Sequence, residues 1–159
     1  MSQRAVIDGL QFARGAETLK GRLELSQLPR LTEMRCATEG LSYELRGATD
    51  GEGRCWLHVR ASGVLTLICQ RCLGPIEFPV EVDSELLLAR SEREIETAED
   101  DIDRVLAGKG MSVGGLVEDE VILALPMVPR HERCGQTQVE VRGDGNSPFA
   151  ALARLKRVK

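Results

Sequence analysis

The stretch Ile76 to Asp83, IEFPVEVD, sets Ile76, Phe78, Val80 and Val82 alternately against Glu77, Pro79, Glu81 and Asp83. Successive side chains of a strand point to opposite faces, so a period of two predicts a half-buried strand with the four apolar residues turned inward. Pro79 has no backbone donor for a ladder and points outward, which marks a sheet edge or a bulge at that position. The same period extends upstream. In LSYELRG, Leu41, Tyr43 and Leu45 share a face. After the turn ATDGEG, Cys55, Leu57, Val59 and Ala61 face one way, with Trp56 and His58 facing the other. Ser62-Gly63 reads as a turn into VLTLIC, and Leu73-Gly74-Pro75 as a turn into IEFPVEVD. From Gly40 to Arg90 the expectation is an antiparallel β-meander or a partly open barrel.

The period changes beyond Met111. In MSVGGLVEDEVILALP, Val113, Leu116, Val117, Val121, Ala124 and Leu125 fall on one helical stripe. Ser112 stands as the N-cap, Glu118, Asp119 and Glu120 as the polar side, and Pro126 as the stop. A short helix from Asp8 to Arg14, ended by Gly15, is expected near the N-terminus. GRLEL alternates before Pro29. In NSPFAALARLK, Ser147 caps, Pro148 takes the first helical position, and Phe149, Leu152 and Leu155 share a face suited to docking on a partner. A helix that short is marginal alone in water and needs such a surface to order on. The class expected is α+β: the sheet, one packed amphipathic helix and a short C-terminal helix. A single domain spans 1–142, and 143–159 form a linker and basic tail.

Aromatic residues make up 3% of the 159, so Leu, Val, Ile and Ala must fill the core. No window offers the ~20 apolar residues of a membrane span, and MSQRAVIDGL lacks the apolar stretch of a secretory signal. With five cysteines, an odd number, reduced thiols in a cytoplasm are expected rather than a disulfide framework. The net charge of −4 argues against wholesale neutralisation of nucleic-acid phosphates. It is unevenly spread, however. Ten acids between Glu81 and Asp103 face only Arg90 and Arg93, with a surface loop expected near 91–103, whereas Arg154, Lys156, Arg157 and Lys159 crowd the last six residues. Cations without interleaved aromatics suit phosphate contact better than base stacking, which makes these four the candidate RNA-binding residues.

Cys69 and Cys72 sit two residues apart between strands. A redox pair usually occupies a helix N-terminus, where the dipole lowers a thiol pKa; here only Arg71 favours a thiolate. Two cysteines in a tight inter-strand turn are also the shape of half a structural zinc site, and His131 and Cys134 offer the other half at matching spacing. The third reading is a pair of small buried residues. Cys36 and Cys55 have no close partner and read as core thiols, and His58 reads as an exposed side chain. No GxSxG, GxxxxGK[ST] or HExxH is present, and no enzyme is expected.

Three stretches, CQRCLGPIEFPVEV, GGLVEDEVILALPMVPRHERC and SPFAALARLK, together resemble in order and spacing the YceD-like family of large ribosomal RNA subunit accumulation proteins. The family's paired cysteines fall on Cys69 and Cys72, its acidic-then-apolar helix on Val117 to Leu125, its proline-bounded turn on Pro126 and Pro129, and its terminal motif on Pro148, Phe149, Ala150 and Leu152. Ser147 stands where many members place Asn before the terminal Pro-Phe. Cys134 is alone in a region where some relatives carry more cysteines. The resemblance implies a non-enzymatic ribosome-biogenesis factor for accumulation or processing of large-subunit (23S) ribosomal RNA, bound to that RNA or to a pre-ribosomal particle directly or indirectly. The rival readings are an adaptor whose acidic loop takes a ribosomal protein or other basic partner, and a thiol oxidoreductase using Cys69 and Cys72.

Overall fold

The protein is seen in a computed structural model that describes residues 5–134, and the structural statements below concern those residues. In chain order they form β1 (Val6–Ile7), α1 (Gly9–Arg14), β2 (Thr18–Leu23), a 3-10 turn (Leu25–Gln27), α2 (Pro29–Glu33), β3 (Leu41–Thr49), β4 (Cys55–Ile68), β5 (Pro75–Ala89), α3 (Glu92–Glu96), β6 (Arg104–Leu106), β7 (Met111–Ser112) and α4 (Val113–Ala124). The class is α+β. One mixed sheet runs β2-β3-β4-β5-β6, and β1 pairs separately with β7.

The meander expected from the period of two is present as β2 to β5, each antiparallel to the next. It does not close into a barrel, because its edge strands β2 and β6 do not pair with each other; β6 lies parallel to β5, with Leu87 opposite Arg104. Ile76 and Phe78 are half-buried and Val80 and Val82 buried, while Glu77, Pro79, Glu81 and Asp83 face water. β6 reaches only Leu87 to Ala89, so β5 is an open edge at Pro79 and the missing donor costs no bond there.

Two segments read from the sequence, one as a turn and one as a loop, resolve differently. Ser62-Gly63 lies in the middle of a continuous 14-residue β4, paired with Glu81 and Val80. A Cβ on Gly63 would come within 2.5 Å of the Leu41 side chain, so the glycine makes room in the sheet rather than turning the chain. The acidic stretch is not loop throughout: Ser91 caps α3 by accepting the Glu94 N–H.

α1 and α4 cover one face of the sheet. Asp8 caps α1 by accepting the Gln11 N–H, and the backbone of Phe12 and Ala13 approaches β3 so closely that a Cβ on Gly47 would fall 2.4 Å from the Phe12 carbonyl. α4 begins at its expected cap, with Ser112 Oγ accepting the Gly115 N–H, and buries Val113, Leu116, Val117 and Val121. Two positions depart from the expected stripe. Ala124 is exposed, and Glu118 is buried at 1% exposure. Glu118 can be buried because it accepts the Leu31 N–H at 2.9 Å and Arg30 Nε at 3.2 Å, which ties α2 to α4. Cys36 and Cys55 lie in the core. Among the described residues no helix is long and apolar enough to cross a membrane. The expected C-terminal helix lies outside the described residues.

Candidate metal centre

β4 delivers Cys69 at its end, and the chain reverses through Cys69–Gly74 into β5. Cys69 N–H donates to the Gly74 carbonyl and Leu73 N–H to the Cys69 carbonyl, both at 2.9 Å. Closing so tight a turn puts Leu73 at φ 61°, a left-handed conformation uncommon for a residue with a branched side chain. The second arm leaves α4 through Pro126–Pro129 and is pinned beside the first, where the Gln70 N–H meets the Pro129 carbonyl at 2.8 Å.

This docking brings together the four residues that the two spacings predicted. The ligand atoms of Cys69, Cys72, His131 and Cys134 all lie within 4.8 Å of one another, close enough to hold a metal ion. Cys69 Sγ is 3.6 Å from Cys134 Sγ, Cys72 Sγ is 3.3 Å from His131 Nδ1, and Nδ1 is 3.8 Å from Cys134 Sγ. A tetrahedron with ~2.3 Å metal–sulfur bonds has edges of ~3.8 Å, so the arrangement fits a four-coordinate ion with little movement. His131 Nε2 lies 2.9 Å from the Pro75 carbonyl. That oxygen can only accept, so Nε2–H donates to it, which leaves Nδ1, on the side of the sulfurs, as the nitrogen available to a metal.

The sulfurs are electrostatically unequal. Cys69 is brought down to about 5, first by the Cys72 N–H and then by the Arg71 and His131 N–H groups, against its burial. Cys134 is lowered by the Arg71 guanidinium and by His131. Cys72 moves the other way: the Gly74 N–H favours its thiolate, but burial and the neighbouring Cys69 and Cys134 raise it. His131 is raised by Cys134, Cys69 and the Pro75 carbonyl. Backbone donors and one cation aimed at sulfur are what a thiolate ligand set requires. The sulfur most disposed to be a thiolate, Cys69, is buried, while Cys72 and Cys134 are half-buried.

Arg71 was noted in the sequence only as a cation beside the thiols; its reach was missed. Its Nε donates to Cys134 Sγ at 3.0 Å, and Nη2 donates to the His131 carbonyl at 3.0 Å, so it clamps the second arm onto the first. The Pro75 carbonyl was also missed, since nothing in a sequence marks a backbone acceptor. His58 is half-buried on the far face of β4 and paired to Asp83, away from the cluster. Phe149, Leu152, Leu155, Arg154, Lys156, Arg157 and Lys159 lie outside the described residues.

An open α+β fold whose β4–β5 turn and the segment after its last described helix bring three cysteines and a histidine together defines a sheet protein with one candidate metal site. The chain belongs to the family described as large ribosomal RNA subunit accumulation protein YceD, which matches residues 57–156 and so takes in all four candidate ligands. The family's name ties it to the accumulation of ribosomal RNA. No solved structure matches the chain.

Proposed function

We propose that the protein is a cytoplasmic, non-enzymatic ribosome-biogenesis factor required for accumulation or processing of large-subunit (23S) ribosomal RNA, built around a structural zinc ion held by Cys69, Cys72, His131 and Cys134. The observation that carries the zinc assignment is the closed ligand set. Three sulfurs and one imidazole within 4.8 Å supply all four positions of a tetrahedral zinc and leave none for a substrate, which is the pattern of structural rather than catalytic sites. Bound there, zinc would lock the β4–β5 turn to the segment after α4. The family match supports the ribosomal part of the reading. Contact with large-subunit ribosomal RNA, or with the pre-ribosomal particle containing it, is assigned to Arg154, Lys156, Arg157 and Lys159, whose charges suit phosphate.

The exposed acids around α3, Glu92, Glu94, Glu96, Glu99 and Asp101, favour a second reading: an adaptor that holds a basic ribosomal protein and affects the RNA indirectly. Removing the protein from cells should lower large-subunit relative to small-subunit ribosomal RNA. The wild-type gene should restore the ratio, and a Cys69→Ser/Cys72→Ser variant should not. A ratio unchanged on removal would sink the functional reading. Full rescue by the double variant would sink the role of the metal.

A further inference from the structure

The free edge of β5 carries a row of unpaired backbone groups. β4 and β5 pair without a bulge from Trp56 opposite Leu87 to Ile68 opposite Pro75, so alternate residues of β5 turn their N–H and C=O groups away from β4 throughout. These are the odd-numbered ones, and at both ends of the strand their outward groups are used. The Pro75 carbonyl meets His131 Nε2, the Leu87 N–H donates to the Asp103 carbonyl, and the Ala89 carbonyl accepts the Ala107 N–H. Between these ends, residues 77–85 have no strand beside them and make no outward backbone bond among the described residues. The N–H groups of Glu77, Glu81, Asp83 and Glu85 and the carbonyls of all five odd-numbered residues are left over about 27 Å. Such a row is a template for another strand. We propose that the 77–85 edge of β5 receives an extended segment of a protein partner in which basic and apolar residues alternate, added to the sheet as its next strand.

The chemistry of the occupant follows from the two faces of the edge. On the solvent face stand Glu77, Glu81, Asp83 and Glu85, all exposed. Asp83 is matched by His58 and Arg60 of β4, whereas Glu77, Glu81 and Glu85 make no ion pair among the described residues. Residues directly opposite on neighbouring strands bring their side chains within reach of one another, so lysine or arginine at alternate positions of an added strand would meet these carboxylates. On the core face Ile76 and Phe78 are only half-buried, while Val80 and Val82 are buried, so apolar residues at the intervening positions would finish their cover. A second copy of β5 fits poorly, because it would set the same acids opposite one another. Pro79 removes one donor from the row and leaves Glu81, Asp83 and Glu85 as an uninterrupted run beside β6. The inference deepens the adaptor reading and rests on it for the ribosomal source of the segment.

Hydrogen exchange read residue by residue on the full-length, metal-loaded protein tests this. In the free protein the amides of Glu77, Glu81, Asp83 and Glu85 should exchange as in an unstructured chain, while those of Val80 and Val82, turned toward β4, are protected. A capped synthetic peptide of alternating valine and lysine, as long as the open stretch, should slow the four outward amides on the order of tenfold or more. Added salt should weaken that effect, and the same peptide with glutamate in place of lysine should not produce it. Glu81→Lys/Glu85→Lys should weaken peptide binding on the order of tenfold, with Glu81→Gln/Glu85→Gln intermediate. Protection of Val80 and Val82 should stay unchanged in both variants, which shows the sheet intact. No slowing by the valine–lysine peptide, or equal slowing by the glutamate peptide, would overturn the proposal. So would outward amides already protected in dilute free protein, which gives the edge to the chain's own remaining residues, or protected only in concentrated protein, which gives it to a second copy. The ribosomal RNA ratio after removal of the protein is a separate readout, so failure of strand addition and failure of the ribosomal reading are distinguishable.

Discussion

Replacing Glu118 by alanine is expected to destabilise the fold by about 3 kcal/mol, though sequence patterning places this residue on the solvent side of α4. The magnitude follows from its partners. The carboxylate accepts the Leu31 N–H at 2.9 Å, and its removal strands a buried donor, which costs ~1–3 kcal/mol. The Arg30 side chain is 45% exposed and keeps Asp119 and the Gly115 carbonyl, so losing its bond to Glu118 adds only ~0.5–1 kcal/mol after solvent screening. The vacated space adds a smaller cavity cost. Asp119→Ala removes the neighbouring but exposed carboxylate and should change stability by less than ~0.5 kcal/mol. Glu118→Gln, which keeps an acceptor for Leu31, should fall between the two. Urea unfolding of metal-saturated protein reads this directly. At a slope of ~2 kcal/mol per M, Glu118→Ala lowers the midpoint by roughly 1.5 M with the slope unchanged. Equal effects of Glu118→Ala and Asp119→Ala, or a loss below ~1 kcal/mol for the former, would refute the account of how α2 is held to α4.

Protein purified without chelators should contain one zinc per chain by elemental analysis, and Cys72→Ser should lose it; no zinc in the wild type removes the metal assignment. Arg71→Gln should speed extraction of zinc by a chelator on the order of tenfold, with Arg71→Lys intermediate, and identical extraction rates would leave Arg71 no role as a clamp. Acid should loosen the α3–β6 segment. Arg104 holds the Asp100 carboxyl down to about 2, below the ~4 of an unfolded Asp, so its contribution is present above pH ~4 and is lost as pH falls toward 2. Asp100→Asn should flatten the stability profile across that window, and an unchanged slope would discount the pair. Truncation after Ala153 should leave the urea midpoint in place yet weaken association with pre-ribosomal particles and reduce its salt dependence.

The sheet was legible because its strands are half-buried: IEFPVEVD and CWLHVRA alternate, and alternation survives in the sequence as burial on one face. β6 was not, since Arg104–Leu106 is three residues long and pairs on one side only, too short to show a period. Ser62-Gly63 misled because a glycine that admits a neighbouring side chain and a glycine that turns the chain look the same in one dimension. Glu118 misled for a related reason: its burial depends on an amide 87 positions away. At the metal centre, spacing alone found all four candidate ligands, because each arm is a local motif. The contacts between the arms, Arg71 to Cys134 and His131 to the Pro75 carbonyl, exist only after the arms have docked.

The central claim, that this chain works on large-subunit ribosomal RNA through its own residues, meets its most direct test in crosslinking inside living cells followed by identification of the RNA and protein attached. The account predicts 23S ribosomal RNA joined to peptides from 154–159, lost when Arg154, Lys156, Arg157 and Lys159 are replaced by glutamine. Crosslinks only to protein, in complexes that survive nuclease treatment, would contradict it and make the chain an adaptor.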